Sequence, residues 1–209
     1  MVELLNKANG KNRRGFTLIE MLVVIAVIAI LASIIIGVLP GARNKTIRST
    51  VKTDMKAIET AIEGYKSKHN VFPPDNPKDH SRPPLYYELT GTTNDTTKWW
   101  SRAAVGDTPF DQNELRTIFN IDGFLNTSQA ADEVDAPSFY KNLLARQVRV
   151  MDDKSRPYKV LVAPRDGPDK KPAVWHYNKS NPTNNVGEYD LWAEIDIGGD
   201  KVIIGNWEN

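Results

Sequence analysis

The chain has 209 residues and a mass of 23.5 kDa, with 40% hydrophobic and 25% charged residues. That is room for one domain plus an appendage, and it excludes disorder, collagen or coiled coil as a description of the whole. A formal net charge of +1 gives no basic footprint, so no nucleic-acid partner is expected, and the absence of cysteine excludes disulfides, thiolate metal sites and a cysteine nucleophile.

In chain order, residues 1–15 come first, with Lys7, Lys11, Arg13 and Arg14 against Glu3. From Met21 to Leu39 only Ser33 and Gly37 fall outside the hydrophobic set, and no charge appears between Glu20 and Arg43. Such a run of 19 residues reaches the length needed to span a hydrocarbon core of roughly 30 Å as a helix. Ten of the 19 are Val or Ile, mediocre helix formers in water, but lipid makes the backbone satisfy its own hydrogen bonds and so favours helix. The basic flank places the N-terminus in the cytoplasm by the positive-inside rule, and no second long apolar run follows, so one crossing is expected. A cleavable secretory signal is the competing reading. Its apolar region is shorter and ends at a small-residue site, whereas Ala29-Ile30-Leu31-Ala32 lies inside the run without a polar segment after it.

The boundary reads Arg13-Arg14-Gly15-Phe16-Thr17-Leu18-Ile19-Glu20-Met21-Leu22-Val23-Val24-Ile25. It resembles the class III signal of type IV pilins and type II secretion pseudopilins. The resemblance implies a prepilin peptidase that cuts after Gly15 and methylates Phe16, leaving the apolar segment in the mature protein. It also implies that Glu20 pairs with the Phe16 amine of a neighbouring subunit during filament assembly. The plainer alternative leaves Glu20 in the headgroup layer, stabilised by the electropositive first turn of its helix. The implied partners are further copies of the chain, other pseudopilins, the prepilin peptidase, the inner membrane and its assembly platform with an ATPase.

Beyond the run, Pro40 and Gly41 predict a kink or short break. Helical periodicity then resumes: Ile47, Val51, Met55, Ile58, Ile62 and Tyr65 form one stripe, expected to pack on the chain's own sheet, and the intervening charges form a solvated face. Asn70 before Val71-Phe72-Pro73-Pro74 supplies the stop, giving roughly 80 Å of nearly continuous helix from Phe16.

Residues 71–146 are rich in Pro and Gly and are expected to be a loop-rich insertion with short helices such as 112–120. Tyr86, Tyr87, Trp99 and Trp100 would anchor it on the core, or form a recognition surface. From 147 to 209 the pattern predicts an antiparallel meander with strands near 147–151, 158–163, 173–177, 189–195 and 201–204. The fold class is therefore α+β and type IV pilin-like: a basic leader (1–15), a transmembrane and assembly helix (16–40), and a periplasmic head (41–209).

Tyr189-Asp190-Leu191-Trp192 and Gly205-Asn206-Trp207 look like the ending of G-type pseudopilins, and Asp152 to Tyr158 keeps the outer residues of a motif common there. The family binds calcium in this C-terminal loop, so Asp196 and Asp200 are possible ligands, the alternative being an ordinary β-turn. No other cofactor is expected. His69, His80 and His176 are far apart in sequence, with no H-E-x-x-H pair, G-x-S-x-G elbow or phosphate-cradling glycine loop, and no catalytic residue is assigned. The expected function is a structural subunit of a type II secretion pseudopilus. A minor type IV pilin of a pilus or DNA-uptake system is the near alternative, and a single-pass tethered enzyme or binding domain the distant one.

Overall fold

The computed structural model describes residues 15–102, 108–131, 134–153 and 156–208; of these, the side chains of 34–40 and 153 are outside the description. The basic leader up to Arg14 likewise lies outside the described residues. The chain divides into two compact units, 1–43 and 44–209. The first helix, α1, runs Leu18–His69 and contributes to both. Helix assignment continues through Pro40 and Gly41, so the expected short break is absent. A proline removes one backbone donor, and loss of one hydrogen bond does not end a helix whose other turns are intact. The stop falls at Asn70, which adopts φ 59° just past the last turn, while its N–H still reaches the Lys66 carbonyl at 2.8 Å. Among the described residues no helix is long and apolar enough to cross a membrane.

In the second unit the predicted stripe is the core face of α1. Val51, Met55, Ile58, Ile62 and Tyr65 are buried, joined by Ala61, and Ile47 is half-buried against them. Each large side chain withdrawn from water in this way contributes about 1.5–3 kcal/mol. Their cluster includes Val160 to Ala163 on one strand and Leu191, Ala193 and Ile195 on another.

The expected C-terminal strands are present, but in two three-stranded antiparallel sheets. One consists of β5 (Val148–Asp153), β6 (Arg156–Asp166) and β7 (Pro172–Val174) in that order; the other of β8 (His176–Asn178), β9 (Asp190–Ile197) and β10 (Asp200–Gly205). The division falls at Trp175. Its N–H donates to Leu161 and its side chain is fully buried, while the register between β6 and β7 slips between Val162 and Asp166. β9 alternates buried and half-buried residues after Leu191, as a strand with one face on the core must.

Residues 71–146 hold more order than loops with short helices. They contain α2 (Leu85–Thr90), α3 (Gln112–Ile118) and a four-stranded sheet, in the order β3 (Phe110–Asp111), β2 (Lys98–Ser101), β1 (Thr92–Asp95) and β4 (Thr127–Gln129). The β1–β4 pairing is parallel. Tyr86 and Tyr87 are buried, and the Tyr87 ring lies 5.0–5.5 Å from those of Phe110, Phe119 and Phe124, so these tyrosines anchor the segment. Fully buried Glu88 links it to α1: its carboxyl accepts from the Tyr65 hydroxyl, the Leu125 N–H and the Asn126 N–H, each at 2.9 Å. Burial pushes this carboxyl up from the ordinary range, against the pull of those donors.

The C-terminal signature is a clasp. After β10 the Asn206 side chain accepts from Leu191 N–H at 3.0 Å and donates to the Tyr189 carbonyl at 3.1 Å. Trp207 lies so close to Gly205 that a Cβ there would sit 2.6 Å from the indole. Lys52 of α1 donates to the Glu208 carbonyl at 3.3 Å, tying the end of the chain to the helix.

Candidate functional site

The predicted processing and assembly residues sit at the start of α1. Gly15, Phe16 and Thr17 are exposed and outside regular structure, and nothing crowds the Gly15 backbone within 4 Å. Thr17 caps the helix. Its carbonyl accepts the first intrahelical bond from Met21, and its hydroxyl accepts from Glu20 N–H at 3.3 Å. Reciprocally, the Glu20 carboxylate accepts from Thr17 N–H and from the Thr17 hydroxyl, both at 2.7 Å. Thr17-x-x-Glu20 is thus a capping box, satisfying donors that a helix N-terminus would otherwise leave open. Ser or Thr followed three residues later by Glu is the sequence signal of such a cap. The carboxylate is therefore held at the helix head by Thr17 and is exposed.

From Phe16 to Leu31 every large side chain other than Glu20 is apolar and exposed: Phe16 is 75% accessible, Leu18 83%, Ile25 64% and Ile30 61%. A helix that is apolar all round needs an apolar environment on every side, because no single core can cover it. Only small local bonds relieve its polar groups, such as Ser33 Oγ to the Ile30 carbonyl at 2.7 Å.

The other candidates resolve differently. Asp196 and Asp200 flank the β9–β10 turn, in which Gly198 and Gly199 take φ 71° and 96°, the signs a two-residue type I′ turn requires. Asp196 Oδ1 accepts from Gly199 N–H at 3.0 Å, so this carboxylate serves the turn. Among the described residues no cluster of three or more His, Asp or Glu could hold a metal ion. Two of the three histidines meet in space on one indole: the Trp192 ring lies 5.0 Å from His176, stacked, and 5.9 Å from His80. Burial lowers the pKa of His176, against the pull of Glu194 and Asp79. His69 completes a cluster of three mutually contacting rings with Tyr65 and Phe139.

Asp190 carries more local structure than the sequence suggested. It accepts from the backbone N–H groups of Thr183 at 2.7 Å, Asn184 at 3.0 Å and Asn185 at 2.8 Å. Burial opposes its charge, but these donors outweigh it and hold the carboxyl below the usual range.

Residues 10–36 match the family model described as the prokaryotic N-terminal methylation motif. The chain is 37% identical over 65 residues to the type II secretion system core protein G of Pectobacterium carotovorum subsp. carotovorum, covering 31% of this chain and 42% of that protein. It is 40% identical over 63 residues to the core protein G of Klebsiella michiganensis, covering 30% and 44%. To the type IV major pilin protein PilA of Myxococcus xanthus it is 39% identical over 67 residues, covering 32% and 30%. The chain thus spans less than half the length of these relatives, and no solved structure matches it. A long N-terminal helix with small, mostly antiparallel sheets is consistent with a type IV pilin-like α+β fold, and residues 10–36 carry the prokaryotic N-terminal methylation motif.

Proposed function

We propose that this chain is a structural subunit of a type II secretion pseudopilus, without catalytic activity, anchored in the inner membrane and assembled through its N-terminal helix. The observation that carries the reading is the all-round apolar exposure of residues 16–31 behind a single carboxylate at Glu20. Lipid covers that surface before assembly and sister helices cover it afterwards. The chain crosses the membrane once, leader inside, head in the periplasm, and joins other pseudopilins on the inner-membrane platform.

The local geometry supports the processing step. Gly15 and Phe16 lie in exposed, non-helical backbone, a conformation in which a prepilin peptidase can engage the peptide bond between them. Cutting there creates an amine at Phe16, which the same enzyme methylates. In a low-dielectric setting the Glu20 carboxylate of one subunit attracts the Phe16 ammonium of the next far more strongly than in water, which selects the register of insertion. The pairing exchanges Thr17 for the neighbour's amine as the main partner of Glu20.

Intact-mass analysis of protein extracted from membranes tests this. A product beginning at a methylated Phe16 is expected. A product retaining Met1, or cut beyond Leu31, would favour the tethered or secretory reading. PilA is about as similar over 67 residues as the core G proteins are over 63–65, so the likeness does not separate pseudopilus from pilus; a secretin gene or a retraction-ATPase gene beside this one does.

A further inference from the structure

Arg146, Arg149 and Arg165 line one cleft of about 180 Å³ with Asp166 and Pro172. They come from the 3₁₀ turn Ala145–Gln147, from β5 and from the end of β6, and all three are exposed. Lys56, Arg82, Arg116 and Lys201 each have a carboxylate partner, but among the described residues no ion pair holds any of these three arginines. Arg149 spends a donor on the adjacent Val148 carbonyl, and Arg146 favours the charged form of Asp54 on α1 without bonding it. Asp166 balances at most one of the three charges. Clustered guanidiniums repel one another, and their planar donor forks suit carboxylates.

The complement lies across α1. Asp54 marks the flank next to Arg146 and Gln147. At 3.6 residues per turn, Glu59 and Glu63 are about 140° and 180° round the helix from Asp54. There, after burial itself, they and Glu188 oppose ionisation of the Tyr189 hydroxyl. Glu59 is tied to Lys56 at 2.7 Å, and Lys66 lies over the Phe72 ring at 4.0 Å. Glu63 and Glu188 are exposed and have no ion pair among the described residues. Basic and acidic clusters on opposite flanks cannot neutralise each other within one head. Between copies they can, in a head-to-tail contact that repeats without closing.

We propose that the Arg146, Arg149 and Arg165 cleft of one head receives the Glu63 and Glu188 edge of a second copy. This rests on the filament reading and assigns it a contact between heads, separate from the apolar stretch 16–31. The cysteine-free chain makes the test clean. Pro172→Cys in the cleft and Val186→Cys beside the acidic edge, both exposed, are introduced together into the full-length chain, and disulfide-linked oligomers are measured in membranes.

Linkage between position 172 of one copy and 186 of another is expected. Arg149→Glu with Arg165→Glu should reduce it roughly tenfold, and adding Glu63→Arg with Glu188→Arg should restore it. Persistent linkage through a separate Ile25→Cys variant, with no linkage between 172 and 186 or no response to charge reversal, would overturn the head contact alone. Loss of both linkages would overturn the filament reading and this contact with it.

Discussion

In residues 16–31 the apolar side chains face outward on all sides; in the unit from Asn44 onward the apolar stripe of the same helix is covered by the chain itself. Both stretches belong to α1 from Leu18 onward, but seven of residues 16–31 are Val or Ile beside the single charge of Glu20, whereas 44–69 hold four Val or Ile among nine Lys, Arg, Asp and Glu. Spacing differs too. After Arg43 apolar residues recur every three or four positions, leaving room for a charged face, whereas before it there is no polar face at all. The first stretch can be stable only in an apolar environment supplied from outside. The second carries its own.

That contrast can be broken at either end, and the largest effect is expected at the first. Glu20→Ala should leave cutting after Gly15 intact and abolish filament assembly, read as processed but unassembled protein; normal filaments would remove the pairing role. In the head, Glu88→Ala leaves the Tyr65 hydroxyl and two backbone N–H groups buried without an acceptor and should cost about 4 kcal/mol. Thermal unfolding of the full chain in detergent checks this, while processing stays unchanged. Ile62→Ala removes a fully buried side chain and should cost about 3 kcal/mol by the same measurement, whereas Ile25→Ala in the exposed stretch should leave head stability untouched. The smallest effect concerns Asp190. Its folded pKa lies below the unfolded value, so its contribution is present above about pH 4 and is lost as pH falls through the folded pKa. Amide exchange at Thr183, Asn184 and Asn185 should therefore accelerate in acid before the rest of the head, and Asp190→Asn should abolish that acid step.

What was legible in the sequence follows from range. The α1 stripe, the stop at Asn70 and the glycine turn after β9 are each set by residues a few positions apart, and all three are where periodicity and turn chemistry put them. The four-stranded sheet within 71–146 was not legible. Its strands are two to four residues long, too short for alternation to register, and β1 pairs with β4 across more than thirty residues. The same limit hid Glu88, whose buried role depends on Tyr65, Leu125 and Asn126. At the candidate site, Gly15, Phe16 and Glu20 stood out through resemblance. The Thr17-x-x-Glu20 capping box is a local signal that coincides with the acidic residue of the resembled motif, so one carboxylate serves both patterns.

The coverage of the exposed helix by sister copies can be measured through one cysteine. Ile25→Cys, the sole thiol in an otherwise cysteine-free chain, is oxidised in membranes and the Phe16-starting product is resolved by mass. Disulfide-linked pairs of that product, lost when Glu20→Ala is added, are the expected outcome. Processed chains that stay single under oxidation would contradict the claim that these helices are each other's final environment.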